Sequence, residues 1–171
     1  MIPLTHYSTS PKDVREFSDH FQTPPSALEP LLLYLPKDWI IWEPCAGKGN
    51  LVRKLHQEGY STIKSDILTG QDFLEWEPGF PWEAIVTNPP YSIKNTIIER
   101  CYSLGRPWAL LMPLTSLETL KRHTMFKDFG VEMLVLPSRV RFERPDLKKS
   151  SPWFHTAWFC HRMLPHPLIF S

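Results

Sequence analysis

Cysteine is nearly absent from this chain: three residues in 171, at positions 45, 101 and 160. Odd in number and far apart, they match no zinc spacing, so no metal site is expected, and they suit a reducing compartment. Also missing is any run of about 18 apolar residues, which excludes a membrane-spanning helix. The stretch Met1–Asp13 has no apolar signal core, so a cytoplasmic location is expected. No internal repeat, low-complexity tract or GxxxxGK(S/T) phosphate loop occurs. The 42% of apolar residues is enough for one globular domain. That domain is expected over residues 21–171, with 1–20 as an N-terminal arm.

Net charge is +1, but it is unevenly spread. Residues 1–120 hold 10 Lys/Arg against 14 Asp/Glu; residues 121–171 hold 9 against 4. The basic C-terminal third reads as a phosphate-facing surface, with an ordinary solvated surface as the alternative. Lys121, Arg122, Lys127, Arg139, Arg141, Arg144, Lys148 and Lys149 are its members. As phosphate contacts they would position a nucleic acid without reading its sequence.

The 18 prolines fall at element ends. Between them, short β-rich runs (39–42, 62–65, 84–87, 108–112, 133–136 and 156–160) alternate with helical patterns at about 26–34, 50–58, 94–104 and 117–129. Alternation of this kind predicts an α/β fold, a mostly parallel sheet covered by helices on both faces. In such sheets the ligand site lies outside the carboxyl ends of the strands.

The first strand is followed by Glu43-Pro44-Cys45-Ala46-Gly47-Lys48-Gly49-Asn50. Gly47 and Gly49 permit a tight turn and close approach of a ligand. An acid at 43 would repel a pyrophosphate; it suits a ligand carrying ammonium and sulfonium groups, as S-adenosylmethionine does. Asp66 ends the second strand, 17 residues after Gly49, near the spacing at which an acid reaches a ribose. A helix N-cap is the other reading of Asp66. Asp72 can accept from an adenine amino group and Phe73 can cover the ring; a turn followed by a core Phe is the alternative. Thr87-Asn88-Pro89-Pro90-Tyr91-Ser92 follows the strand 84–87. Two prolines fix φ and remove two N–H donors, leaving carbonyls aimed outward. The Asn88 amide oxygen and the Pro89 carbonyl then offer two acceptors, which suit an NH2 group, and Tyr91 offers a flat ring on which a base can stack.

With these motifs in place, the chain resembles the class I, Rossmann-like amino-methyltransferases, in particular the N6-adenine DNA methylases. Asn88-Pro89-Pro90-Tyr91 resembles their catalytic motif, and Glu43 through Gly49 their cofactor loop. Asp66 with Ile67, and Asp72-Phe73, fall where the family holds ribose and adenine. Phe21-Gln22-Thr23-Pro24-Pro25 is similar to the motif that holds the methionine end, in the γ-type order. Residues 111–114, 139–143 and 151–155 are similar to the small methylases of phages and prophages. The likeness covers about residues 20–162.

It implies a seven-stranded sheet, S-adenosylmethionine as cofactor, and methylation of adenine N6 in DNA. Trp153 or Phe154 would pack beside the flipped base. RNA adenine, a glutamine side-chain amide, and a silent methyltransferase-fold subunit stay open as alternatives. No separate target-recognition domain is expected, so a second copy or a partner subunit would supply it.

Overall fold

The computed structural model describes residues 22–143 and 154–171. Seven strands form one sheet: β1 (Ile40–Glu43), β2 (Ser61–Lys64), β3 (Ala84–Thr87), β4 (Trp108–Pro113), β5 (Glu132–Val135), β6 (Thr156–His161) and β7 (Leu168–Phe170). Their spatial order is β2-β1-β3-β4-β6-β5-β7. Only β6 runs antiparallel, wedged between β4 and β5. The expected mostly parallel sheet is therefore present. The seven strands implied by the resemblance are all present, and the one that the apolar runs do not mark is β7: Leu168-Ile169-Phe170 is three residues long and follows Pro165 and Pro167, too short for any period to be read.

Both faces of the sheet are buried, as parallel sheets require. Along β4, Ala109 and Leu111 join one core with Leu28, Leu31, Ile41, Leu55 and Trp158. Trp108, Leu110 and Met112 join the other with Trp42, Ile85, Ile97 and Phe126. The period-2 alternation of strand side chains divides them in this way.

The helices follow equally simple rules. α1 (Glu29–Leu32) is a single turn, preceded by a short 3-10 helix at Pro25–Leu28. The expected longer helix over 26–34 is cut because Pro30 lacks an N–H and so must sit in a first turn. α2 (Asn50–Gln57) starts from Gly49, whose φ of 77° is left-handed, and buries Leu51, Val52 and Leu55 on one face. α3 (Lys94–Leu104) buries Ile97, Ile98 and Cys101 and stops at Gly105. α4 (Leu120–Phe129) is capped by Thr119, whose hydroxyl accepts from the Arg122 N–H. The residues before it, Leu114–Leu117, form a separate 3-10 turn rather than part of the helix. Among the described residues no helix is long and apolar enough to cross a membrane.

The chain leaves β1 for β2 on one side and returns to β3 on the other. The loops after β1 and β3 therefore diverge at the carboxyl edge, which opens a crevice there.

Candidate active site

That crevice is a cleft of about 370 Å³. The structure brings to it Thr23, Glu43, Pro44, Cys45, Ala46, Gly47, Asp66, Ile67, Asp72, Phe73, Asn88, Pro89 and Pro90. Gln22, Asn50 and Ser92, each part of a motif quoted above without a role of its own, also line it, as do Leu51, Leu68, Ile93 and Ile97, which no motif included. Pro24, Gly49 and Tyr91 do not.

The glycine loop is held by its neighbours' side chains. Cys45 N–H donates to Glu43 Oε1 at 3.0 Å and Gly47 N–H to Asp66 Oδ2 at 2.7 Å. Lys48 N–H donates to Gln22 Oε1 at 2.9 Å. Ala46 N–H and Gly49 N–H go to the carbonyls of Ser65 and Ala46. Five consecutive N–H groups thus have protein acceptors, so this loop lacks the open amides with which a phosphate loop grips its anion. Gly47 has a φ of 48°, and a Cβ there would stand 2.9 Å from Gln22 Oε1. Asn50 Nδ2 ties the loop to the Thr23 carbonyl at 3.0 Å.

Glu43 is 1% exposed. Burial pushes its carboxyl up to about 8, against the lowering effects of the Thr87 and Cys45 hydrogen bonds; Asp66 adds a smaller upward push. The Cys45 thiol is pushed up by burial and by Glu43, which leaves it a poor nucleophile. Asp66 caps the 3-10 turn Ile67–Thr69 by accepting Leu68 N–H at 2.9 Å while its other oxygen clamps Gly47. It is therefore a turn cap and a cleft residue at once. Asp72 makes a similar local bond to Leu74 N–H and faces the cleft. Phe73 is buried edge-on against Trp42, with ring centroids 5.2 Å apart, and also forms cleft wall. On the rim, Leu68 is 89% exposed and Ile67 is exposed as well.

Across the cleft, Asn88, Pro89 and Pro90 leave the end of β3. Pro90 starts the 3-10 turn Tyr91–Ile93, which is secured by Lys94 Nζ donating to the Tyr91 carbonyl at 3.1 Å. That turn presents Ser92 and Ile93 to the cleft, while Tyr91 is 6% exposed and its ring meets Phe154 edge-on at 6.0 Å. Tyr91, expected to offer its ring to a base, does not line the cleft here; the ring lies beneath the loop against Phe154. Phe154 packs on Tyr91.

The basic stretch divides. Arg122 is 4% exposed; its guanidinium donates to the Ser116 carbonyl, to Asn95 Oδ1 at 2.7 Å and to the Thr115 carbonyl at 3.4 Å. The expected phosphate contact at Arg122 is corrected: it is a buried brace between α4, α3 and the turn before α4. A signal for this was available, since Arg122 shares a helical face with Met125 and Phe126. Lys121 pairs with Glu99 at 2.7 Å on the surface. Arg139 and Arg141 are exposed on either side of buried Val140. Their segment then reaches Glu143, which bridges Gln22 with two backbone hydrogen bonds of 2.9 Å. Arg144, Lys148, Lys149 and Trp153, like Phe21 and the proposed arm, lie outside the described residues.

Sheet order, the single antiparallel strand and the placement of the cleft define the Rossmann-like class I methyltransferase fold. No family profile matches the sequence, and no curated protein does. Among solved structures, the chain is similar to a candidate class I S-adenosylmethionine-dependent methyltransferase from Listeria monocytogenes. The TM-score is 0.61 at 14% identity, over 96% of this chain and 73% of that one. It is also similar to a modification subunit of a candidate type I restriction enzyme from Vibrio vulnificus, with a TM-score of 0.52 and 14% identity. There the match covers 92% of this chain but only 47% of the Vibrio subunit.

Proposed function

We propose that this chain is an S-adenosylmethionine-dependent methyltransferase that modifies the exocyclic N6 of adenine in DNA. One observation carries the reading: a glycine loop flanked by the carboxyl groups of Glu43 and Asp66 faces the Asn88-Pro89-Pro90 segment across one cleft at the switch point of a class I methyltransferase fold. The residues fit the cofactor. Glu43 supplies a buried carboxyl for its ammonium, with Thr23 beside it, and Asp66 and Asp72 accept from hydroxyl and amino groups. Phe73, Ile67 and Leu68 give apolar walls for a purine. The bare Cα of Gly47 leaves room that a Cβ would take.

When bound, S-adenosylmethionine supplies the electrophilic methyl group. The work left to the chain is alignment and electrostatics. Adenine N6 is a poor nucleophile because its lone pair is delocalised into the ring. Acceptance of the amino hydrogens by the Asn88 amide and the Pro89 carbonyl favours a pyramidal nitrogen, and fixed dipoles then stabilise the charge that develops. A duplex target must first give up the base, at a cost of a few kcal/mol. Arg139 and Arg141, with Lys148 and Lys149, would hold the backbone. The restriction-enzyme modification subunit among the structural neighbours supports DNA as substrate and a subunit partner; in this reading that partner, or a second copy, supplies target recognition. The protein would act in the cytoplasm of a bacterial or phage-infected cell.

The test is incubation with labelled cofactor and, separately, DNA, RNA and protein, followed by identification of the methylated nucleoside or residue. N6-methyladenine from DNA is expected. Asn88→Ala should lower its formation by about a hundredfold or more, with cofactor affinity unchanged. A folded Asn88→Ala variant working at the wild-type rate refutes the assignment.

A further inference from the structure

Glu43 is the only buried acidic side chain among the described residues. Its hydrogen bonds are one-sided. Oε1 receives both the Thr87 hydroxyl and the Cys45 N–H, whereas Oε2 accepts from no described residue although Glu43 lines the cleft. Thr87 is itself fully buried and immediately precedes Asn88, so it joins the β1 end to the β3 end. The groups facing Glu43 are of the wrong charge to ionise it. Asp66 at the end of β2 and the Cys45 thiol on the loop offer no cation, and Asp72 lies on the same cleft. Lys64, the register partner of Glu43 on β2, is solvent-exposed. A buried acid without a cation keeps its proton.

We propose that Glu43 is protonated in the free protein and releases that proton to solvent when an α-amino cation is seated against Oε2. Thr87 is then a positioning residue that holds Oε1 and turns Oε2 toward the cleft. The inference rests on the reading of the cleft as an S-adenosylmethionine site. The chemistry balances simply: the carboxyl O–H breaks heterolytically, buffer takes the proton, and the ammonium keeps all of its own. The carboxyl group's upward shift to about 8 sets the range in which the exchange is visible. Below that pH, displacement of one proton per ligand makes affinity rise about tenfold per pH unit.

Calorimetric titration at pH 7 with S-adenosylhomocysteine, in two buffers of different ionisation enthalpy, reads the proton count directly. Close to one proton released per ligand is expected, with affinity rising about tenfold per pH unit between pH 6 and 7.5. Methylthioadenosine, which lacks the amino-acid end, should bind with no release. Glu43→Gln should abolish the release and flatten the pH profile. Thr87→Val removes a donor that favours the carboxylate, so the pH at which affinity levels off should move upward, and Thr87→Ser should restore it. A merely structural Thr87 would weaken binding equally at every pH. If Thr87→Val does not fold, the wild-type proton count and Glu43→Gln still decide. Tight S-adenosylhomocysteine binding with no proton release at pH 6–8 overturns the inference and leaves the proposed function standing. No binding by folded protein overturns both.

Discussion

Substituting Gly47 by Ala should damage the cleft in a way that other left-handed glycines do not share. Two costs apply at this position. The first is backbone strain: a φ of 48° is open to glycine but costs an L residue about 1–2 kcal/mol. The second is collision. The new Cβ would lie 2.9 Å from Gln22 Oε1 and 3.1 Å from Gln22 Nε2. The Gln22 amide ends a flexible side chain, so it would swing away and give up its hydrogen bond to Lys48 N–H. That bond is worth about 1 kcal/mol at most, because Lys48 is exposed and water replaces the lost acceptor. The total is about 2–3 kcal/mol, or a fall in melting temperature of about 5–10 °C for a domain of this size. Gly105→Ala is the control. It carries the strain alone, with a φ of 65° and nothing within 4 Å of its Cβ, and it sits at the far end of α3. It should lose about half as much stability and bind S-adenosylhomocysteine normally. Gly47→Ala should weaken that binding about tenfold or more, since its N–H is held by Asp66 and its loop forms the cleft wall. If the two variants melt alike and bind alike, the contact between Gln22 and the loop has no energetic role.

Further expectations follow from the same geometry. Glu43 has a folded pKa near 8 against 4.5 for an ordinary glutamate, so the native state retains a proton that the unfolded chain loses. Stability present below about pH 4.5 should therefore decline as pH rises toward 8, by a few kcal/mol at most. Glu43→Gln should melt progressively higher than wild type between pH 5 and 9, and parallel melting curves would refute this. Arg122→Ala should cost about 3 kcal/mol or more, by leaving the Ser116 carbonyl and Asn95 without their donor, and this should appear as a melting shift with little change in the salt dependence of DNA affinity. Arg139→Ala with Arg141→Ala should do the reverse, reducing the salt slope by about two while leaving the melting temperature nearly intact.

Much of this architecture was legible because parallel sheets write themselves plainly. Ala84-Ile85-Val86 and Trp108 through Met112 are continuous apolar runs, and turn-forming residues follow each strand. The meeting of Glu43, Asp66 and Asn88 at one cleft could be read from their position after those strands, since chain order fixes which loops meet at a carboxyl edge. What escaped depends on distance in space. Arg122 has the composition of a surface residue, and only the carbonyls of a turn six and seven residues earlier make it a core one. Tyr91 follows two prolines as an exposed aromatic would, yet the 3-10 turn carries it under the loop against Phe154. Gln22 stood in a recognisable motif, but its contact with the glycine loop and its pairing with Glu143, 121 residues away, left no mark in the sequence.

That last pairing bears on how the protein is made. The cleft side chains lie between residues 22 and 97, so they leave the ribosome before the segments that support them. Gln22 is pinned by Glu143, and the Trp158 indole donates to the Ala27 carbonyl across 131 positions of sequence. Loop closure over such separations is slow and must be completed before those contacts stabilise anything. The nascent site therefore exists as a list of residues well before it exists as a shape. An unfinished chain exposes the apolar segments 25–32 and 51–55, which share a core with Trp158 of β6, until β6 arrives, and it is in that interval that aggregation competes with folding.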